Sequence, residues 1–239
     1  MIDRLALIVP SRGRPQNIAN LIRSLRATRS TITHLFVAVD DDDPTLPEYR
    51  RLFEGLHGDS ETLVVGPRVR LGPTVNTVAR QAVACGYRWV GFMGDDHRPR
   101  TVDWDLTMTA ACGPFGMAYA DDLFQRENLP TEIVMTANIV QALGHMSLPG
   151  LVHMFIDNYW LTLGQALGCI RYLPDVIVEH VHPAAGKAEL DAGYGEAMGV
   201  FDSDHAVFEA WSTGAEVLGA GKDAEVAKLK EARDGSPAV

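Results

Sequence analysis

Cysteine is scarce in this sequence, and long apolar runs are missing. The 239 residues include three cysteines, Cys85, Cys112 and Cys169, which lie far apart and form no CxxC pair. This spacing favours buried free thiols in a reducing compartment. The apolar runs are no longer than a strand, so no segment is predicted to span a membrane. The segment from Met1 to Arg4 leads directly into an apolar strand without the pattern of a signal peptide, so we expect a cytoplasmic protein.

Positive charge is also in deficit. The chain has 31 Asp and Glu against 21 Lys and Arg, a formal net charge of −10, and it lacks the positive field of a non-specific nucleic-acid binder. Carboxylates concentrate at 40–43, 95–96 and 121–122. Six arginines lie in or beside predicted loops: Arg12, Arg14, Arg68, Arg70, Arg98 and Arg100. Acidic clusters beside such loops fit a site for a metal ion and a phosphorylated ligand, and solvated loops with offsetting charges are the alternative.

Strand and helix patterns alternate along the first half of the chain. Continuous apolar runs predict strands at 5–9, 34–39, 62–65 and 88–93, and helical periodicity predicts helices at 16–27 and 75–84. This alternation predicts an α/β fold whose sheet is mostly parallel. Ligands bind at the carboxyl ends of the strands in such sheets. Three polar clusters are predicted at that edge: 11–14, 40–43 and 95–97.

The second half is less regular. Its patterns predict helices at 104–111, 155–167 and 201–213, and strands at 115–120, 132–136 and 172–181. A charged, alanine-rich surface helix is predicted at 223–233, followed by a frayed end. Because the sequence has no internal repeat and no low-complexity linker, we expect one domain over 1–222, with halves 1–100 and 101–222, and a tail at 223–239.

Paired carboxylates follow the strand at 88–93, in Gly94-Asp95-Asp96-His97. Adjacent carboxylates at a strand end repel each other unless a positive group lies beside them. A divalent cation with oxygen ligands meets this need, and His97 can add a nitrogen ligand to manganese. A helix N-cap is the alternative. The aspartates at 40–43 exceed what a cap requires, so one of them can bind a base or ribose hydroxyl; an acidic turn is the alternative.

The order of these motifs resembles the opening of GT-A glycosyltransferases, especially the large family 2. The first strand ends in Val9-Pro10-Ser11-Arg12-Gly13-Arg14-Pro15, the second in Val39-Asp40-Asp41 and the fourth in Phe92-Met93-Gly94-Asp95-Asp96, with a helix near Asn76 before the fourth. The resemblance implies a Rossmann-like GT-A fold with a mixed, mostly parallel sheet flanked by helices. It also implies a nucleoside-diphosphate-sugar donor.

The resemblance further assigns roles to individual positions. It implies a donor site formed by Pro10, Ser11, Arg12, Arg14, Asp40, Asp41, Asn76 and Asp95. Asp96 becomes the principal ligand of a Mn²⁺ or Mg²⁺ ion. The usual motif, D-x-D, begins with an aspartate where this chain has Gly94, so the carboxylate that faces the metal is left open between Asp95 and Asp96.

One carboxylate of the second half, Asp157, lies among apolar and aromatic residues. Apolar surroundings raise the pKa of a carboxylic acid, as a general base requires. In family 2 enzymes an acidic residue at a comparable place is the general base. The resemblance therefore implies that Asp157 deprotonates the acceptor hydroxyl, with inversion at the anomeric carbon. Capping of the predicted helix is the alternative.

The segment Glu179-His180-Val181-His182-Pro183 supplies the last candidates. Histidines two apart on an extended segment point to the same side and can share a metal or a phosphate. In many GT-A enzymes a late histidine completes the metal shell, a place that His180 or His182 can take. Lys187 is expected to reach the pyrophosphate, and Asp191 and Tyr194 to belong to the same loop.

Together these features predict a metal-dependent glycosyltransferase that transfers a sugar, from a UDP-sugar by preference, to an acceptor hydroxyl. A sugar-nucleotide nucleotidyltransferase and an inactive nucleotide-sugar-binding module are the alternatives. The chain also resembles compact transferases encoded by bacteriophages, which implies a protein, a glycan or a hydroxymethylated DNA base as acceptor. In that case the protein is expected in the host cytoplasm.

Overall fold

The computed structural model describes residues 2–56, 58–187, 192–219 and 221–235, without the side chains of 192–194. The strands are β1 Ile2–Ser11, β2 Thr33–Asp40, β3 Glu61–Gly66, β4 Tyr87–Phe92, β5 His97–Pro99, β6 Met117–Asp121, β7 Ile133–Thr136 and β8 Ile170–His180. The helices are α1 Pro15–Thr28, α2 Leu46–Glu54, α3 Leu71–Ala84, α4 Trp104–Cys112, α5 Ala137–Leu143, α6 Ile156–Leu167, α7 Ala192–Met198, α8 Phe201–Ser212 and α9 Lys222–Asp234.

The strands form one eight-stranded sheet in the order β3-β2-β1-β4-β7-β6-β8-β5. The first four strands pair in parallel. β7 pairs antiparallel with β4 and with β6, β8 runs parallel to β6, and β5 pairs antiparallel with β8. The prediction of a mixed, mostly parallel α/β sheet of GT-A type is confirmed.

Both faces of the central strand β1 are buried, which explains its continuous apolar run. Ala6 and Ile8 belong to the core that the sheet shares with α3, α5 and α6. Leu5, Leu7 and Val9 belong to the core on the other face, with α1 and α4. Since side chains alternate along a strand, a run with no polar position is required when helices cover both faces.

Four elements were not predicted from the sequence: α2, β5, α5 and α7. Of these, β5 bears most directly on the site, because it pairs His97 with His180 of β8. The other predicted strands and helices are present.

The C-terminal helix α9, predicted as a surface helix, has one buried face. Leu229 is fully buried, and the carboxylate of Glu225 accepts hydrogen bonds from Tyr159 at 3.1 Å and Trp211 at 3.0 Å. α9 therefore packs against the same core as α6. No helix in the described part of the chain is long and apolar enough to cross a membrane.

Candidate functional site at the carboxyl edge of the sheet

The loops after β1, β2 and β4 meet at one edge of the sheet because these strands run parallel. Ser11 Oγ donates to Asp95 Oδ2 at 2.6 Å, which joins the first loop to the loop after β4. Arg12 pairs with Asp40 at 3.0 Å, which joins the first loop to the end of β2. The three polar clusters predicted at this edge are therefore in contact.

Asp95 points toward the first loop. Besides the bond from Ser11, its Oδ1 lies 3.3 Å from Arg14 Nη1 and 3.4 Å from Asn17 Nδ2. The side chain is buried. Burial and the neighbouring Asp96 raise the pKa of Asp95 to about 6 although Arg14 acts to lower it. Its carboxylate thus braces the first loop, and its predicted contact with a donor stays a prediction.

Asp96 points the opposite way, toward two histidines. One donor atom from each of Asp96, His97 and His180 lies within 4.8 Å of the others. Asp96 Oδ1 is 3.4 Å from His97 Nδ1, and Oδ2 is 3.4 Å from His180 Nε2. Burial alone would raise the pKa of Asp96, but the two imidazoles hold it well below its usual value. A carboxylate oxygen and imidazole nitrogens at this spacing can share one divalent ion.

A second carboxylate, that of Asp122 directly after β6, lies beside His180. His180 Nδ1 lies 3.6 Å from Asp122 Oδ2, which leaves Nε2 directed at Asp96. Asp122 Oδ1 accepts from the backbone amides of 124–126, at 2.8, 2.7 and 2.8 Å. Burial alone would lower the pKa of His180, but Asp122 and Asp96 raise it to about 9. A carboxylate behind an imidazole is the usual support of a metal-binding histidine, so the residues present fit a metal ion.

Asp122 was not predicted as a site residue. The signal was available, since Asp121-Asp122 is another acidic pair directly after a predicted strand. Its partner Thr131 donates to Asp122 Oδ2 at 2.8 Å and lies 3.3 Å from His97 Nε2. One polar network thus joins His97 and His180 to Asp96 and Asp122.

The backbone at Gly94 leaves little room for a side chain. A Cβ at Gly94 would lie 2.6 Å from Asp96 Oδ1 and 3.0 Å from His97 Nδ1. The amide of Gly94 also donates to His97 Nδ1 at 3.0 Å. Any side chain at this position would therefore displace the Asp96 carboxylate or the His97 ring.

His182 flanks this cluster. Its ring stacks on Phe124 at 5.6 Å and lies 4.8 Å from the His180 ring, between centroids. Its Nδ1 accepts from the amide of Ala184 at 3.1 Å. In the described part of the chain, the group of residues whose donor atoms lie within 4.8 Å of one another consists of Asp96, His97 and His180. It includes His97 and does not include His182. The predicted ligands Asp96, His180 and His182 stay predictions.

Asp157 lies in the first turn of α6. Its Oδ1 accepts from the amide of Asn158 at 2.9 Å. The N-cap position itself is Phe155, and no side chain within the described residues caps this helix. Burial raises the pKa of Asp157, and the charge on His180 acts to lower it. The proposed role of Asp157 as a base stays a prediction.

Arginines surround Asp40 at the end of β2. Arg12 also pairs with Asp42 at 2.5 Å, and Arg68 Nε lies 3.7 Å from Asp40. Burial raises the pKa of Asp40 although Arg12 acts to lower it. Asp41 is exposed beside this group, and the half-buried Pro10 lies at the end of β1.

Two predicted donor contacts, Asn76 and Lys187, have protein partners. The buried Asn76 donates to Ser147 O at 2.8 Å and accepts from the amides of 146–147 at 2.7 and 2.8 Å. Lys187 Nζ donates to Glu179 at 2.9 Å. Glu179 and His180 are consecutive on β8 and so point to opposite faces. Both donor contacts stay predictions. Asp191 lies outside the described residues, as does the Tyr194 side chain.

No protein-family model matches the sequence, and no curated protein matches it. Solved structures do. The mannosyltransferase PcManGT from Pyrobaculum calidifontis, in complex with GDP-Man and Mn²⁺, aligns over 100% of this chain and 77% of its own, with a TM-score of 0.59 and 14% identity. TarS 1–349 from S. aureus, in complex with UDP-GlcNAc, aligns over 96% and 72%, with a TM-score of 0.56 and 14% identity. A candidate nucleotide-diphospho-sugar transferase from Desulfovibrio desulfuricans G20 aligns over 85% and 98%, with a TM-score of 0.52 and 10% identity. At these identities the comparison shows a shared fold.

Proposed function

We propose that this protein is a metal-dependent glycosyltransferase that moves a sugar from a nucleoside-diphosphate sugar to an acceptor hydroxyl. The observation that carries the proposal is the cluster of Asp96, His97 and His180, supported by Asp122, at the carboxyl edge of a GT-A sheet. Function depends on the site rather than on the fold. The shared fold agrees with the site, since two similar structures hold GDP-Man with Mn²⁺ and UDP-GlcNAc.

The ion in this proposal is Mn²⁺ or Mg²⁺, held by Asp96 and His180 with His97 and His182 beside them. Imidazole nitrogen next to carboxylate favours manganese, since magnesium prefers oxygen ligands. When bound, the ion supplies a Lewis acid for the charge that develops on the departing diphosphate.

The donor nucleotide in this proposal lies against Pro10, Ser11, Arg12, Asp40 and Asp41. Arg12 already holds Asp40 in place at 3.0 Å, and Arg14 extends from the same loop toward Asp95. Guanidinium groups bind phosphate oxygens in a forked geometry. We favour a UDP-sugar as the donor.

Asp157 is the proposed general base. It takes the proton from the acceptor hydroxyl, the acceptor oxygen bonds to the anomeric carbon, and the bond from that carbon to the diphosphate oxygen breaks. Attack opposite the leaving group inverts the anomeric centre. The half-buried position of Asp157 at the start of α6, with its raised pKa, supports this role.

The test is a donor screen that needs no acceptor, because water can replace it. Purified protein is incubated with a panel of nucleoside-diphosphate sugars in Mn²⁺, Mg²⁺ or EDTA, and the released nucleoside diphosphate is measured. We expect metal-dependent release from one donor, lost in Asp96→Asn and kept in the control Asp59→Asn, whose side chain is exposed. Pyrophosphate release from a nucleoside triphosphate would identify a nucleotidyltransferase instead. Donor binding that ignores EDTA, without release, would identify a binding module.

The acceptor is identified by a second screen, which uses the donor found in the first. Acceptors of three kinds are tested: proteins, glycans and DNA that contains a hydroxymethylated base. The net charge of −10 disfavours DNA.

A further inference from the structure

A groove lined by arginines runs between α1 and β5. Its volume is about 480 Å³, and Arg23, Arg98 and Arg100 line it together with polar and small residues of α1. No carboxylate lies among its lining residues in the described part of the chain. In a protein with a net charge of −10, three guanidinium groups around one groove form a local positive site.

The central arginine of the groove, Arg98, is buried, and three of its five N–H donors have no partner among the described residues. It is 8% exposed. Both of its hydrogen bonds start at Nη1, to Asp95 O at 2.7 Å and His97 O at 2.6 Å. Its Nε and Nη2 donate to no residue that the structure describes, and neither atom is sealed from solvent. A buried guanidinium normally has an anionic partner, because desolvation of an uncompensated charge is costly.

The other two arginines stand at the rim. Arg23 donates to Asn20 Oδ1 at 2.9 Å and forms no salt bridge within the described residues. Arg100 shares Glu179 with Lys187 on the outer side of β8. Within the described part of the chain, no carboxylate is in direct contact with the guanidinium group of Arg23 or Arg98.

We infer that this groove binds a phosphate-class anion, either free phosphate or the phosphate group of a small phosphorylated molecule. The forked N–H donors of a guanidinium group can bind two oxygens of one phosphate at the same time. The groove volume is within the range of small-molecule sites, which spans about 300–1,000 Å³. The inference does not depend on the proposed glycosyltransferase activity.

The groove is separate from the candidate metal site. His97 and Arg98 are consecutive on β5, so their side chains point to opposite faces of the strand. Arg14 and Asn17, at the beginning of α1, contact Asp95, whereas the helix residues of the groove lie one to three turns further along α1. An anion in the groove would therefore lie on the side of β5 opposite to the His97 side chain.

The test is calorimetric titration of the full chain with inorganic phosphate in EDTA, at ionic strength held constant with chloride. The double variant Arg23→Gln/Arg100→Gln changes only exposed side chains, so its fold should survive, which a melting curve checks. Loss of two charge-assisted contacts should weaken phosphate binding by about tenfold or more. Arg98→Lys, which keeps the charge but removes the fork, should also bind more weakly. Arg50→Gln, an exposed helical arginine outside the groove, is the matched control and should bind as the wild type does.

A second variant separates the groove from the donor site. Arg68→Gln/Arg70→Gln removes arginines at the sheet edge and should leave phosphate binding unchanged. The inference is overturned if the wild type binds phosphate no better than chloride, or if binding is lost in this variant and kept in the groove variant. A parallel titration with glycerol phosphate distinguishes the sources: tighter binding than phosphate indicates a phosphorylated small molecule, and equal binding indicates the free anion.

Discussion

Single residues decide which of two adjacent carboxylates faces the candidate metal site. Asp95 is turned into the first loop by Ser11, and Asp96 is turned out by His97 and His180. Gly94 makes this arrangement possible, because the space that a side chain would fill is occupied by Asp96 and His97. Although Gly94 lies where the predicted motif has an acid, Asp96 still places a carboxylate at the candidate metal site.

The first prediction at this scale concerns Gly94→Ala. The new methyl group would lie 2.6 Å from Asp96 Oδ1, so the carboxylate must shift. We expect Mn²⁺ affinity to fall by about 10- to 100-fold, as for other disturbances next to metal ligands, and we would measure it by calorimetry. Gly66→Ala is the control, since a Cβ there meets nothing within 4 Å. Wild-type affinity in Gly94→Ala would contradict the assignment of Asp96 as a ligand.

The second prediction concerns Asp157→Asn. The amide oxygen of asparagine can still accept from the amide of Asn158, so α6 should begin as before. Without a proton acceptor, we expect kcat to fall by about 10²- to 10⁴-fold, with the donor dissociation constant unchanged. Nucleoside-diphosphate release gives kcat, and calorimetry gives the dissociation constant. A variant that turns over near the wild-type rate would show that another residue is the base.

At the scale of secondary-structure elements, the sequence predicts those strands and helices whose formation depends on the local pattern of apolar residues. The buried runs of β1, β2 and β4 were found within three residues of their ends. The strand β5 was missed because His97, Arg98 and Pro99 carry no strand pattern and form a strand only through pairing with β8. The insertion of β7 between β4 and β6 likewise depends on long-range pairing.

The candidate site was predictable to the same extent. The order of the acidic strand ends indicated the edge of the sheet and Asp96, and the paired histidines of the segment 179–183 indicated His180. The pairing of His97 with His180 and the support from Asp122 were not predictable, because both depend on how distant strands align. The side-chain amide of Asn76 makes three hydrogen bonds to the segment 146–147, another tertiary contact that local pattern does not contain.

The prediction that belongs to this scale concerns the segment leading into α6. Asp204 of α8 is buried and accepts from the amides of 152–154, at 3.0, 2.7 and 2.7 Å. Phe155, the next residue, has a φ of 64° and stacks on Phe208 at 5.7 Å. α8 thus fixes the chain just before Asp157, so Asp204 is a positioning residue for the proposed base.

We therefore expect Asp204→Ala to lower both stability and turnover. Unpaired buried amides should reduce the free energy of unfolding by about 1–3 kcal/mol each, and kcat should fall while donor affinity stays. Asp202→Ala, an exposed position on the same helix, should change neither. Denaturant unfolding and nucleoside-diphosphate release measure the two effects. If stability falls and kcat does not, the contact is structural and does not position Asp157.

At the scale of the whole molecule, parts of the chain that are distant in sequence pack together to form one core and one candidate site. Glu225 of α9 binds Tyr159 of α6 and Trp211 of α8, and its Oε1 lies 2.8 Å from His145 Nε2. The C-terminal helix is therefore packed into the region that carries Asp157. The division at 222 remains a prediction, but α9 and the preceding residues share a buried interface.

The candidate metal site connects the two halves of the chain in the same way, because Asp96 follows β4 and His180 ends β8. These groups come together only in the folded protein, so an ion that binds them must stabilise the native state. At a concentration of about 100 times the dissociation constant, the stabilisation is about 2.7 kcal/mol. For a chain of this size, that corresponds to a rise in Tm of about 5–10 °C. We expect Mn²⁺ to produce this shift in a thermal melt, EDTA to reverse it, and Asp96→Asn to abolish it. An equal shift in Asp96→Asn would mean that the ion binds elsewhere, and the proposed metal dependence would lose its structural basis.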